Sequence, residues 1–381
     1  MTKLIFCILI FSCMASASSH AKKRLRDYGI IAGVMKPGKN NAITDVKGVK
    51  VGHVTLIGKE DMRTGVTAIL PIEKNIFENK VPAGVYVGNG FGKMAGISQI
   101  KELGNIETPL ILTNTLNVAE GIAGIVEYSI RENHCYSVNA IVGETNDSRL
   151  NNIQARYVTK EDVIKAIEKA KGGPVEEGCV GAGTGTKAFG YKAGIGTSSR
   201  VLPASMGGYT VGVLVQANFG GVLQIAGTPI GQLLDNYDFK DKIQHDVDGS
   251  CMIVVITDAP VDCRNLERMA KRAILGLAQT GGIAANGSGD YALALSVADE
   301  NLINSHNTKY TSTVLKNDDM SGLFLATIEA TSEAIWNSLF AAEDMTGYKG
   351  HTVKAIDKER VAKLILKAQK ATNLKPTYPD K

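Results

Sequence analysis

A layered α/β fold, with helices covering packed sheets, is the class this sequence predicts, on three observations. Apolar runs with strand character and amphipathic runs with helix character are intermingled along the whole chain. No hinge, repeat or low-complexity linker divides them, so one large domain is expected. The 381 residues are 44% hydrophobic and 21% charged with mixed signs, enough to bury a substantial core.

The elements follow in order. Alternating valines around Gly48 and Gly52 predict short strands joined by a turn, and 63–71 another strand. Residues 85–90 form a strand ending in a glycine turn. The apolar run at 109–115 predicts a buried strand, 118–132 a helix, and 138–145 a strand with Glu144 at its end. Helical periodicity over 161–171 stops at Gly172-Gly-Pro174, as a helix should. In the second half, 209–220 delivers Asn218 to the far end of a strand, and 252–257 and 291–297 are further strands. Residues 262–281 predict an amphipathic helix with Leu266, Met269, Ala273 and Leu277 on its apolar side. Two more helices are expected over 323–339 and 358–371.

Composition narrows the function classes. The formal charge of +4 is small for this length and no dense Lys/Arg run is interleaved with aromatics, which argues against a nucleic-acid groove. The forty-one glycines sit in short turns rather than a linker, implying close backbone approaches. Residues 1–21 have the form of an export signal: Lys3, an apolar stretch over 4–11, and small residues around Ala17 and Ala21. That stretch is too short to span a membrane. A periplasmic or secreted protein is expected, with a lipid anchor at Cys13 the lesser alternative. Cys135, Cys179, Cys251 and Cys263 remain in the mature chain without metal-binding spacing, and in an oxidising compartment they could pair in three ways. Cys251 is expected to be a small buried residue, and His245 a surface one.

Two familiar loops are tested and fail. In GCVGAGTGTK (178–187) Thr186 separates the last glycine from Lys187, which breaks the phosphate-loop pattern, and no dinucleotide fingerprint follows Gly183. Around Ser288 the second glycine of a nucleophile elbow is missing. Gly249-Ser250 is more informative, because a polar turn there runs directly into the apolar stretch 252–256. Were the bond before Ser250 cut, one residue would hold a hydroxyl nucleophile and an α-amine titrating near about pH 8, able to act as its base. Asn114, Glu144, Asn218, Ser288 and Asp290 likewise end glycine-flanked strands. Singly, such residues read as ordinary turn formers.

Taken in order, NAITDVKGVKVGH (41–53), RTGVTAILP (63–71), GETND (143–147), GGYTVGVLVQANFG (207–220), Gly249-Ser250, TDAP (257–260) and NGSGD (286–290) resemble the P1 peptidase family. That family contains the L-aminopeptidase/D-amidase/D-esterase and the β-peptidyl aminopeptidases. The resemblance runs from about Asp27 to about Ser296. It implies a four-layer αββα sandwich and a precursor that cuts itself into a larger 22–249 and a smaller 250–381 subunit, both within one domain. The pieces stay associated and assemble into homo-oligomers, with no metal or organic cofactor. Ser250 is then the nucleophile and Asn218 the oxyanion donor. Ser288 hydrogen-bonds the Ser250 amine, Asp290 orients it or tunes its charge, and Glu144 receives the ammonium group of a small peptide, amide or ester. Gly249 is expected to tolerate strained backbone angles during self-cleavage. Some members carry Tyr where this chain has Asn146, which bears on substrate preference; Arg149 and Asn151 are expected to be structural. The alternatives are an acyl transferase of related architecture, which uses Thr at the new terminus, and a non-catalytic protein that kept the fold.

Overall fold

The computed structural model describes residues 23–58, 60–238, 240 and 248–375. The expected leader 1–21, with Cys7 and Cys13, and His245 lie outside the described residues. The first part of the chain forms β1 (Lys50–Gly58), β2 (Met62–Leu70), β3 (Asn79–Gly90), β4 (Met94–Ala95), α1 (Ile97–Leu103), β5 (Asn105–Ile106), β6 (Leu110–Asn114), α2 (Val118–Asn133), β7 (Ile141–Thr145) and α3 (Lys160–Glu168). Then come β8 (Lys187–Ala188), β9 (Tyr191–Lys192), β10 (Ile195–Val201), β11 (Thr210–Asn218), α4 (Ile230–Leu233) and β12 (Asp248–Thr257). The chain closes with α5 (Cys263–Gln279), β13 (Gly287–Ser296), β14 (Ile303–Asn304), α6 (Ser321–Phe340), β15 (Met345–Thr346), β16 (Thr352–Val353) and α7 (Lys358–Ala371).

Two sheets carry the architecture. One has the order β1-β2-β6-β7-β4, the other β10-β11-β12-β13-β3-β14 with β5 attached to β3. Three apolar cores separate four layers. Leu110 and Leu112 of β6 meet Leu214, Met252, Val254 and Leu293 between the sheets. Val163 and Ile167 of α3 and Ile125 of α2 cover the outer face of the first sheet. Met269 and Leu277 of α5, with Ala330 and Ile335 of α6, cover Val213, Ile253 and Ala292 on the outer face of the second. The α/β class and the layered arrangement are therefore as expected. Asp262 caps α5 by accepting from the Asn265 amide at 2.8 Å, close to where the sequence starts that helix.

Two expectations are corrected, and one question the sequence left open is answered. The segment 195–201 is a strand that periodicity missed, because Thr197, Ser198, Ser199 and Arg200 are all buried polar residues. The four described cysteines are all unpaired, so no disulfide links them. The strand β12 begins at Asp248, which puts Ser250 inside a strand rather than in a turn before one. Pairing on both sides explains this: Ser250 lies opposite Asn218 of antiparallel β11 and Gly289 of parallel β13. The glycines of 178–187 serve close packing, as expected. A Cβ on Gly183 would meet the Ile195 nitrogen at 2.3 Å, and one on Gly185 the Arg63 carbonyl oxygen at 2.2 Å.

The polar strand β10 is made tolerable by an ionic cluster. Arg200 donates to Glu329 at 2.9 Å and to Glu333 at 2.8 Å, and Glu333 also accepts from Arg26 at 2.7 Å and Asn41 at 2.6 Å. Burial pushes the Glu333 carboxyl up, but Arg200 and Arg26 overcome it and hold the group at about 2. A depressed acid stabilises the fold above its unfolded pKa, and that stabilisation is lost as pH falls from about 4.5 toward 2. Glu333→Ala strands Arg200 without its buried partner. It is expected to lower unfolding free energy by about 3 kcal/mol, read from urea midpoints at neutral pH.

Candidate active site

Alternation along β12 sends Cys251, Ile253 and Val255 to the helix-covered face, and Met252 and Val254 to the core between the sheets. Ser250 shares the second parity, so its hydroxyl faces the inter-sheet side, at the end of the sandwich where a cleft opens. The residue is only 4% exposed. Its Oγ donates to the Gly249 carbonyl oxygen at 2.5 Å and accepts from the Gly289 amide at 3.3 Å. The hydroxyl is thus held against the carbonyl group of its own peptide bond. Glycine at 249 is required by space: a Cβ there would lie 2.6 Å from the Phe219 Cα. Its φ is not among the positive ones, so the expected strained backbone is replaced by close approach.

Asn218 ends β11 directly beside Ser250. Its Oδ1 accepts from the Lys187 amide at 3.2 Å, which fixes the side-chain flip and leaves Nδ2 as the end able to donate. Ser288 and Asp290 belong to the opposite parity of β13, the helix-covered face, and do not line the cleft. Both are buried, and neither the Ser288 hydroxyl nor either Asp290 oxygen has a hydrogen-bond partner. Burial raises the Asp290 carboxyl to about 6, while the neighbouring Ser288 hydroxyl and Cys251 amide pull it down without completing a bond. Cys251 is fully buried, and burial, with Asp290 nearby, pushes its thiol well above the usual range. It behaves as the expected small core residue.

Glu144 ends β7 and is 1% exposed. It accepts from the Lys93 amide at 3.1 Å and from the Thr115 hydroxyl, and the Lys93 ammonium stands 3.4 Å away. Asn146 is exposed on the following loop, its Oδ1 taken by the Ser148 amide at 2.9 Å. Ser250, Gly249, Asn218, Glu144 and Asn146 share one cleft of about 760 Å³. Sequence reasoning missed Phe91, Lys93, Lys187 and the segment Tyr348, Lys349 and His351, which also line it. Arg149, expected to be structural, faces the cleft too. Asn151 is structural as expected, bonding Asp147 at 3.0 Å and the Arg63 amide at 3.2 Å. Asn114 ends β6 by bonding Thr64 at 2.8 Å and capping Leu116, and takes no part in the cleft.

A hydroxyl pressed on its own peptide carbonyl, beside a fixed amide donor in a sheet-on-sheet sandwich, is the arrangement of a serine hydrolase related to N-terminal-nucleophile enzymes. Comparison with known proteins agrees. The chain is 40% identical to the β-peptidyl aminopeptidase BapA of Sphingosinicella xenopeptidilytica, over 94% of each. A β-aminopeptidase from a Burkholderia species superposes with a TM-score of 0.84 at 37% identity, covering 93% of this chain and 100% of that one. The L-aminopeptidase D-Ala-esterase/amidase of Ochrobactrum anthropi, described as a prototype serine aminopeptidase and a variant of the Ntn-hydrolase fold, gives 0.82 at 35% identity, covering 91% and 99%. The family model for peptidase family S58 matches residues 41–353, and the chain belongs to that family. It is a hydrolase of the serine aminopeptidase type. The matched span runs past Ser296 and takes in the Tyr348–His351 side of the cleft that the motifs did not reach.

Proposed function

We propose that the chain cuts itself between Gly249 and Ser250 and then acts as an aminopeptidase or amidase on small peptides, amides or esters with a free amino terminus. The observation that carries this is the Ser250 hydroxyl 2.5 Å from the Gly249 carbonyl oxygen. Attack by Oγ on that carbonyl carbon breaks the Gly249–Ser250 C–N bond, and the proton passes to the nitrogen. Water hydrolyses the resulting ester, freeing the Gly249 carboxylate, the hydroxyl and the α-amine of Ser250.

In turnover the same hydroxyl attacks the substrate carbonyl while the amine accepts its proton and returns it to the leaving group. Nδ2 of Asn218 donates to the oxyanion. Ser288 lies opposite Gly249 in the register, and its parity lets it approach the backbone nitrogen of Ser250 rather than Oγ. An ammonium formed there gives Ser288 and Asp290, which neighbour each other without a completed hydrogen bond, a cationic partner. The two pieces stay interleaved, since β12 and β13 of the smaller one pair with β11 and β3 of the larger. N-terminal sequencing of the purified protein tests the cut: a fragment beginning Ser-Cys-Met-Ile supports it, and a single active chain overturns it.

The same reading takes in export, from the leader-like 1–21, and assembly of processed pairs into homo-oligomers, which the family resemblance supports. The β-peptidyl names of curated relatives support β-amino acids among the accepted N-termini. Asn146 offers an amide nitrogen where some relatives offer a phenol. Among the described residues of the uncut chain Glu144 supplies the only carboxylate lining the cleft, and it selects the free ammonium. Glu144→Gln keeps the shape and removes the charge. Its expected effect is a KM for aminoacyl anilides raised about tenfold or more. An unchanged KM would falsify the assignment.

A further inference from the structure

The cleft is far more cationic than the chain. Among its described lining side chains in the uncut chain are Lys93, Arg149, Lys187 and Lys349, against the one carboxylate of Glu144. Lys93 is paired with Glu144. Arg149, Lys187 and Lys349 have no acidic partner among the described residues. Three exposed cations without an acidic partner among the described residues share one concavity, in a protein whose whole formal charge is +4.

Two of them sit on loops that are stitched together. The Tyr348 amide donates to the Leu150 carbonyl at 2.8 Å, and His351 Nδ1 bonds the Arg149 carbonyl at 3.3 Å. A Cβ on Gly347 would lie 2.1 Å from the Leu150 oxygen, so the two backbones are in tight contact. Lys349 holds a left-handed conformation, φ 55°, that a non-glycine residue seldom adopts. Its ammonium lies 5.1 Å from the Tyr348 ring centroid, which restrains it further. Both side chains are exposed, so water screens their repulsion, and an anion set between the two anchored loops gains from both charges.

We propose that Arg149 and Lys349, with Lys187 beside Asn218, form a carboxylate subsite, and that the preferred substrates are short peptides with a free C-terminus. This rests on the aminopeptidase reading above: Glu144 takes the α-ammonium, Ser250 the scissile carbonyl, and the cationic loops the C-terminal carboxylate. The cleft then reads both ends of its substrate. A cleft of about 760 Å³ suits a small ligand of this kind. The charge pattern favours short peptide acids over their amides and over longer chains whose carboxylate lies out of reach.

The test compares kcat/KM of the processed enzyme on a tripeptide acid, on the same tripeptide as its C-terminal amide, and on a neutral aminoacyl anilide. The acid is expected to exceed the amide by about tenfold or more, as one charge-assisted contact supplies. That ratio should shrink as salt is raised from low to physiological strength and beyond. In the double variant Arg149→Gln, Lys349→Gln it should collapse toward one. Anilide turnover reports whether the enzyme is folded and processed. Acid and amide cleaved at equal rates by an enzyme active on the anilide overturns the subsite alone. An enzyme that is correctly folded but turns over none of the three overturns the aminopeptidase reading as well. Should the double variant not fold, the salt dependence of the wild-type ratio decides the matter: a preference independent of salt counts against the cations.

Discussion

Ser250→Ala is expected to purify as one continuous chain and to hydrolyse no aminoacyl substrate, while the wild-type protein separates on denaturing gels into pieces ending at Gly249 and beginning at Ser250. One atom carries both outcomes. In the proposed mechanism the Oγ that lies 2.5 Å from the Gly249 carbonyl oxygen first opens the chain and afterwards attacks substrate. Its surroundings do not depend on it for shape, because Ser250 is held in β12 by strands on both sides and its side chain is small. The variant should therefore keep the wild-type fold, with an unchanged circular dichroism spectrum. Loss of a nucleophile that acts as one unit with its base lowers kcat by about a million-fold. Ser250→Cys separates nucleophilicity from shape: a thiol can also attack the peptide carbonyl, so slow processing is expected where alanine gives none. Cutting of the alanine variant, or wild-type turnover by an uncut chain, places the nucleophile elsewhere.

Much of this was legible in the sequence, and the exceptions share a cause. Strands such as β11 and β12 announce themselves because Val211, Val213, Val215 and Ile253 have neighbours of the same kind at a spacing of two. The strand β10 does not, although its residues are equally buried. Its polar side chains are satisfied by Asp45, Glu329 and Glu333, at separations of 129 to 154 residues in the chain. Periodicity measures only local apolar pattern, so a polar strand completed by distant partners is invisible to it. The site divides in the same way. Gly249, Ser250 and Asn218 carry their geometry locally, in glycine-flanked strand ends whose register the sheet then fixes. Arg149 and Lys349 are some 200 positions apart and meet only because two loops pack. The expectation for Gly249 rests on what glycine usually permits, strained backbone angles. What it supplies here is room for Phe219, a residue already present in the Asn218 motif.

Asn218→Ala is expected to lower kcat by about 100- to 1,000-fold with KM for a neutral anilide nearly unchanged. The ground-state carbonyl gains little from a donor that the charged tetrahedral oxygen needs, so the loss falls on the transition state. The donor end of the side chain is already chosen: Oδ1 is occupied by the Lys187 amide at 3.2 Å, so Nδ2 alone is free to face the oxyanion. Asn218→Asp tests that assignment at constant volume, because it replaces the donor by an acceptor and should be at least as damaging as alanine. The proposed self-cleavage runs through an oxyanion as well, on the Gly249 carbonyl, so rates must be normalised to the amount of fragment beginning at Ser250. A purely packing role predicts a different pattern, with a lower denaturation midpoint and near-normal kcat per processed site. Loss of less than about tenfold in kcat per such site, with stability unchanged, would assign the oxyanion to the Gly289 amide, which already reaches Ser250 Oγ at 3.3 Å.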